Sequence, residues 1–137
     1  MATKRKVWKP TPPRQTKSQV PDSIKHILKE KADELIENVL KPEHIKPPPD
    51  KNDFNYLVDI YSKWHRNYFY FCAKYNCPGP NAISPSFETK FARMEYVGNK
   101  KFNLSYMQHT ERWWEIHQEL PMPECLKSIA EEPYFMP

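Results

Sequence analysis

Apolar and polar residues alternate along the middle of the chain, from residue 54 to residue 117. A period of two places successive side chains on opposite faces of a β-strand, so this alternation predicts a series of strands joined by short connections. Connections this short favour an antiparallel order in which each strand pairs with the next. We expect four or five strands, over residues 54–61, 67–75, 88–97, 102–108 and 112–117.

Polar and proline-containing segments separate these predicted strands. Residues 62–66 are expected to turn the chain between the first two strands, and residues 76–87 form a longer loop. Gly98 and Asn99 favour a tight hairpin, because both residue types adopt positive φ angles readily. A polar turn at residues 109–111 precedes the last strand.

A different spacing precedes the strands. Apolar residues between positions 24 and 40 recur at steps of three and four, which predicts one amphipathic helix over residues 21–40. Pro42 is expected to end it, since proline disfavours helical geometry at the residue before it. A short helix is expected over residues 123–132. The predicted fold class is therefore α+β: an N-terminal amphipathic helix packed on a four- to five-stranded antiparallel meander, with a short C-terminal helix.

The predicted core combines the apolar stripe of the first helix with the inward side chains of the strands. An antiparallel sheet needs cover on one face, and the amphipathic helix is the natural cover. The positions expected to be buried are Ile27, Leu28, Leu35, Ile36, Val39, Val58, Ile60, Phe71, Phe91, Leu104, Trp114, Ile116 and Ile129.

Charge is distributed unevenly along the 137 residues. Residues 1–20 are rich in bases and prolines and carry +6, which predicts a disordered tail, whereas residues 21–137, the predicted single domain, sum to −2. A basic tail attracts polyanions such as nucleic acid or an acidic partner, although a tail that only keeps the chain in solution is the simpler interpretation. The tail cations expected to contact a polyanion are Lys4, Arg5, Lys6, Lys9 and Arg14.

The cysteine content bears on the compartment. Cys72, Cys77 and Cys125 cannot all pair within one chain, which favours a reducing, cytoplasmic environment. No apolar stretch follows the basic start as a signal peptide would require, and none reaches the roughly 18 residues of a spanning helix. We therefore expect a cytoplasmic protein without a membrane partner. The basic triplet at residues 4–6 is typical of nuclear import signals, but such triplets are common in tails.

Aromatic and basic residues surround the first predicted turn and are the leading candidates for a binding surface. Single-stranded nucleic acid is held by bases that stack on aromatic rings beside cations that contact phosphates. Aromatic residues also favour strands for packing alone, so a protein partner, or a homodimer formed through an aromatic sheet face, explains the same pattern. The predicted binding residues are Lys63, Trp64, His65, Arg66, Tyr68 and Tyr70.

An acidic residue followed by a Glu-x-Lys pair gives an alternative, catalytic interpretation. Asp59 on the first strand, with Glu88 and Lys90 on the third, has the order found in metal-dependent nucleases. In such sites two carboxylates hold Mg²⁺ and the lysine stabilises the charge on the phosphate. Pairs of this kind arise frequently by chance in a chain rich in Lys and Glu, which favours two solvent-exposed strands instead.

Other catalytic or cofactor sites lack support in the sequence. Cys72 and Cys77, with His65, His109 and His117, offer zinc ligands, but a thiol within an apolar strand packs as a small hydrophobic group. Two glycines are too few for a phosphate-binding loop, and the common nucleophile motifs do not occur. We expect no metal and no cofactor, and a non-catalytic module that binds protein or nucleic acid, with a nuclease-like enzyme as the alternative.

Four motifs resemble an uncharacterised family of small bacterial proteins: FARMEY at 91–96, FNLSY at 102–106, HTERWWEI at 109–116 and CLKSIAEEPYF at 125–135. Residues 67–85 are similar to a version found in cyanobacterial-type members. The resemblance covers about residues 21–137 and implies a helix, a meander with a tryptophan-bearing last strand, and a short helix. It also implies a bacterial cytoplasmic protein. The family has no established activity, so it implies no catalytic residues.

Overall fold

A computed structural model describes residues 19–48 and 54–137. The predicted tail cations lie outside the described residues, and so does most of the segment predicted to be disordered. In chain order the elements are α1 (Asp22–Leu35), a π-helical turn (Ile36–Leu40), α2 (Lys41–His44), β1 (Tyr56–His65), β2 (Tyr68–Asn76), β3 (Ser86–Gly98), β4 (Lys101–Met107), β5 (Trp113–Pro121) and α3 (Met122–Glu131).

The five strands form one antiparallel sheet in the order β1-β2-β3-β4-β5, which confirms the predicted α+β class and the meander. Because each strand pairs with its neighbour in sequence, short turns suffice to connect most of them. Asn99 and Lys100, with φ angles of 52° and 60°, form the β3–β4 hairpin next to Gly98. This turn lies where the sequence predicted positive φ angles.

The first hairpin turn contains two residues, Arg66 and Asn67, instead of the predicted five at 62–66. Arg66 has a φ angle of 57°, which is the left-handed conformation that two-residue hairpins require. The sequence did not indicate a turn at this position, because neither turn residue is a glycine. Residues 63–65, which the sequence placed in the turn, therefore belong to β1.

The helical segment covers one face of the sheet with apolar side chains spaced four residues apart. Because an α-helix has 3.6 residues per turn, steps of four move around the axis by about 40° each. The looser winding of the π-helical turn opposes this drift and keeps the later members facing the sheet. The buried members of the stripe are Ile24, Leu28, Ala32, Ile36 and Leu40.

The helical segment continues past Pro42, where the sequence predicted that it would end. Pro42 lies in the first turn of α2, a position at which a helix needs no backbone N–H from proline. The N–H of Lys41 donates to the carbonyl oxygen of Ile36, five residues earlier. The π-helical turn thus accommodates the proline that would otherwise break the helix.

The core lies between the helices and the sheet face that they cover. Helix α1 packs against β1, and helix α3 packs against β4, β5 and α1. The predicted core residues Leu28, Ile36, Ile60, Phe71, Phe91, Leu104 and Ile129 are buried. Val20, which the sequence assigned to the tail, is 7% exposed and belongs to the core. The packed region therefore includes part of the predicted tail.

Three residues predicted in the core are exposed instead. Ile27 and Val39 are 43% and 38% exposed, because the four-residue spacing of the stripe turns them away from the sheet. Trp114 is 56% exposed on the edge strand β5, opposite Tyr106. The other predicted core members, Leu35, Val58 and Ile116, are half-buried.

Polar contacts fix α1 to the edge strand β1. Lys29 Nζ donates to the backbone oxygen of Ser62 at 2.8 Å and to its hydroxyl oxygen at 2.9 Å. The Ser62 hydroxyl donates to Asp33 Oδ1 at 2.7 Å. Trp64 Nε1 donates to the backbone oxygen of Lys25 at 3.2 Å. These bonds set the position of the helix relative to the sheet and occupy a carbonyl group of the edge strand.

Candidate functional site

The sheet face opposite the helices is uncovered within the part of the chain that the structure describes. We call it the open face, and its central members are Lys63, His65, Tyr68, Tyr70, Lys90, Arg93 and Trp113. Strand pairing brings them together, since Lys63 lies opposite Tyr70 and Tyr70 lies opposite Arg93. Their side chains alternate with inward residues such as Phe69 and Phe71, which are fully buried. The open face is therefore built by three consecutive strands, β1 to β3, and by β5.

Arg93 lies at the centre of the open face, between two aromatic rings. Its guanidinium carbon lies 4.8 Å from the ring centroid of Tyr68 and 4.9 Å from that of Trp113. Ser105, opposite Arg93 on the intervening strand β4, is buried and small. It leaves room for side chains from β3 and β5 to meet. Cation–π contacts each stabilise by about 0.5–1 kcal/mol at exposed sites and by more where water is excluded.

The packing around Arg93 orients its guanidinium. Arg93 Nε is buried and has no hydrogen-bond partner among the described residues. A buried donor without a partner costs about 1–3 kcal/mol, and contact with the two rings offsets this cost. The rings thus hold the planar guanidinium in place. A planar guanidinium presents paired N–H donors whose geometry matches the oxygens of a carboxylate or a phosphate.

Tyr70 extends the aromatic cluster towards β1. Its ring centroid lies 6.0 Å from that of Trp113 and 6.1 Å from that of Tyr68. Lys90 Nζ lies 5.5 Å from the centroid of the same ring. Beside these residues, a shallow cavity of about 280 Å³ is lined by Lys63, Trp64, His65, Tyr70 and Lys90. Rings and cations are therefore interleaved across the open face.

Carboxylates are also present on the open face, where Glu88 lies opposite Lys74, Glu95 opposite Tyr68 and Glu115 opposite Ser105. Glu88 accepts a hydrogen bond from the Tyr61 hydroxyl. This hydrogen bond is the main reason that the pKa of Tyr61 is raised, and burial of the hydroxyl is the second. The outward-facing cations are Lys63, Lys74, Lys90, Arg93 and Lys101.

Comparisons with known proteins show the family of the chain. The family described as "Domain of unknown function (DUF3024)" matches residues 18–137. The chain belongs to this family. The comparison with curated proteins finds no match, and neither does the comparison with solved structures. The resemblance to an uncharacterised family with a helix, a meander and a short helix is confirmed to this extent.

Within residues 19–48 and 54–137 of the DUF3024 chain, the helices lack the length and apolar character needed to cross a membrane.

The structure of the DUF3024 domain separates Trp64 from the other predicted binding residues. Lys63, His65, Tyr68 and Tyr70 share the open face, and Arg66 is exposed in the hairpin turn. Trp64 alternates with Lys63 and His65 and therefore faces α1. Its ring lies 5.0 Å from that of Phe69 in an edge-on contact. Trp64 thus attaches the helix to the sheet.

Two central residues of the open face, Arg93 and Trp113, were not among the predicted binding residues. Arg93 lies between Ala92 and Met94, and this alternation indicates that its side chain points away from the core. The pair Trp113 and Trp114 places one ring on each face of its strand. These signals do not reveal which face the helix covers. Nor do they reveal that Arg93 and Trp113 meet across β4, which depends on the register.

The predicted nuclease-like residues make other contacts. Asp59 lies opposite Lys74, and Lys74 lies opposite Glu88, so the two acidic residues come from strands about 10 Å apart. Asp59 Oδ1 forms an ion pair with Lys41 Nζ at 3.2 Å and accepts the Ile60 N–H at 2.9 Å. In the described residues, no group of three His, Cys, Asp or Glu side chains could hold a metal ion. The nuclease-like alternative stays a prediction to which these contacts add no support.

The cysteines, which the sequence considered as zinc ligands, are all free. Cys72 and Cys125 are buried, and Cys77 is half-buried. Burial raises the pKa of Cys72, and burial together with the charge of Glu124 raises the pKa of Cys125 to about 12. Both buried thiols are therefore protonated near neutral pH and pack as apolar groups.

Proposed function

We propose that this DUF3024 protein is a non-catalytic binding module that holds single-stranded nucleic acid on its open face. The observation that supports this most is the stack of Arg93 between Tyr68 and Trp113, with Tyr70 and Lys90 beside it. Aromatic side chains stack on bases at about 1–3 kcal/mol per base, and cations neutralise phosphates. Both kinds of group are needed for this ligand, and the open face offers both side by side.

The arrangement of charge favours nucleic acid over a protein partner. The centre of a protein–protein interface is depleted in charge. Here, by contrast, each central ring has a cation at a distance between 4.8 and 5.5 Å. Much of the negative charge of residues 21–137 lies on the helices instead. The exposed acidic residues on the helices are Asp22, Glu30, Glu34, Glu37, Glu43, Glu124 and Glu131.

The roles of the individual residues follow from their positions. The rings of Tyr70 and Trp113 offer surfaces for bases, and the guanidinium of Arg93 binds phosphate or stacks on a base in its turn. Lys63, His65 and Lys90 contact neighbouring phosphates of the same nucleic-acid strand. Every base has a π-face, so this binding is expected to tolerate any sequence.

A fluorescence-anisotropy titration with labelled 12-nucleotide DNA and RNA of mixed sequence tests the proposal. The wild-type protein is expected to bind, with log K falling against log salt by about 0.7 per phosphate contact. Trp113→Ala is expected to weaken binding by about 1–3 kcal/mol, or roughly 5- to 150-fold. Trp114→Ala is the matched control, because this exposed neighbour lies on the opposite face of β5. Its affinity is expected to equal that of the wild type.

Several outcomes would contradict the proposal. One is the absence of binding at the lowest salt, where the electrostatic contribution is largest. Another is an equal loss in the Trp113→Ala and Trp114→Ala variants. Competition by polyglutamate as effective as that by an oligonucleotide of equal charge would identify an acidic protein as the partner. A doubled mass in light scattering, abolished by Trp113→Ala, would identify a homodimer that closes the open face.

A further inference from the structure

A second depression lies on the other side of β1, between this strand and α1. We call it the edge groove. It has a volume of about 470 Å³, and its lining includes Lys25, His26, Lys29, Ser62, Lys63 and Trp64. Lys63 and Trp64 also line the cavity of about 280 Å³ on the open face. The two depressions therefore meet at β1, and the open face continues around the edge of the sheet.

The charge of the edge groove matches that of the open face. Lys25 and Lys63 form no ion pair among the described residues, so their ammonium groups are available to an anion. Asp33 is already engaged, by Lys29 Nζ at 3.3 Å and by the Ser62 hydroxyl at 2.7 Å. Asp22 is the one carboxylate that lines the groove. The groove thus complements a chain of phosphates.

Side-chain contacts hold the floor of the edge groove and occupy a backbone oxygen of β1. The Trp64 ring is held by its N–H bond to the Lys25 oxygen and by its contact with Phe69. A peptide that extended the sheet would need free backbone groups on β1. Lys29 Nζ occupies the Ser62 backbone oxygen at 2.8 Å. The groove is therefore suited to a ligand recognised by side chains.

We infer that single-stranded nucleic acid bound on the open face continues over β1 into the edge groove, where Lys25 contacts its phosphates. This inference rests on the proposed function and extends it. From Trp113 on β5 to Lys63 on β1 the sheet spans four strand spacings, or about 19 Å. A short oligonucleotide is held within that width. A longer one reaches Lys25 and gains a contact that the short one lacks.

Two oligothymidylates, of about 6 and about 16 nucleotides, test the inference by anisotropy titration. Lys25→Ala is expected to leave the affinity for the short ligand unchanged and to lower that for the long one. With the long ligand, the slope of log K against log salt is expected to fall by about 0.7, which corresponds to one lost phosphate contact. Lys31→Ala is the matched control, because Lys31 also lies on α1 but lines the groove towards α3. It is expected to match the wild type at both lengths.

The Lys25→Ala variant keeps the backbone oxygen that accepts the Trp64 N–H. Circular dichroism checks that this variant is folded. Lys25→Gln, which keeps the length of the side chain while removing the charge, serves as a second variant and is expected to behave in the same way. Equal salt slopes for the wild type and both variants with the long ligand would overturn the inference. The proposed function fails by a different result, namely when Trp113→Ala binds the short ligand as well as the wild type does.

Discussion

Arg93 shows how the neighbours of a side chain determine what it can do. A lysine in its place would keep the charge but lose the planar group that lies against Tyr68 and Trp113. Because the buried Nε has no hydrogen-bond partner among the described residues, contact with the two rings holds this part of the side chain. The two rings and the cation therefore pack as one unit.

Two ionisable groups near β1 make the folding stability vary with pH in the alkaline range. Hydrogen bonding to Glu37 raises the pKa of Lys41 from its usual 10.5, and hydrogen bonding to Glu88 raises the pKa of Tyr61 from its usual 10.0. In each case the folded chain keeps its proton at a pH where the unfolded chain loses it. The stabilisation is therefore complete below the unfolded pKa and is lost as pH rises through the folded pKa.

The free energy of unfolding, measured in urea between pH 8 and pH 11, is accordingly expected to fall above about pH 9, where the buried thiols of Cys72 and Cys125 begin to contribute, and to fall further above about pH 10. Tyr61→Phe removes one of the contributing ionisations and should make this fall shallower. Tyr134→Phe is the control, since Tyr134 is 49% exposed and lies far along the chain from Glu88. An equal slope in Tyr61→Phe and the wild type would show that the Tyr61 hydroxyl does not retain its proton in the way described.

At the scale of the elements, the helix α1 depends on its attachment to β1. Trp64→Phe keeps an apolar ring against Phe69 but removes the N–H that donates to the Lys25 oxygen. The loss is expected to lower the free energy of unfolding by about 1 kcal/mol, measured by urea denaturation. Trp114→Phe, at an exposed position, is expected to change it by less than about 0.5 kcal/mol. Equal effects of the two substitutions would contradict this account of the attachment.

The sequence predicted the order and type of the elements because periodicity is a local property. It failed where structure departs from a regular period. The two-residue turn at Arg66 and Asn67 contains no glycine, and the π-helical turn carries the helix past Pro42. Strand β5 extends to Pro121, beyond the predicted end at residue 117, because two register shifts and a φ angle of 52° at Glu119 interrupt its alternation.

For the candidate site, the sequence predicted the kind of surface but not its centre. Alternation along β1 and β2 groups Lys63, Tyr68 and Tyr70, yet the same alternation sends Trp64 to the helical side. The contact between Arg93 and Trp113 joins residues on strands that are not neighbours. It depends on the register of β4 and on the small size of Ser105, which no local pattern reveals.

At the scale of the whole molecule, the described residues form two layers with different surfaces. Helices cover one face of the sheet, and the other carries interleaved rings and cations. The edges of the sheet are poorly suited to pairing with another strand. Lys29 occupies a carbonyl oxygen of β1, and β5 is bent by its register shifts. The open face, continued by the edge groove, is the surface on which we propose that single-stranded nucleic acid binds.

The most direct test of this account is to map the contact surface residue by residue. In ¹H–¹⁵N spectra of the labelled protein, titration with an unlabelled single-stranded 12-mer is expected to shift the amides around Tyr70 and Arg93 and the indole N–H of Trp113. The amides of α3 should stay in place. Shifts concentrated on α3 and the outer side of α1, or no shifts at low salt, would contradict the claim that the open face binds nucleic acid.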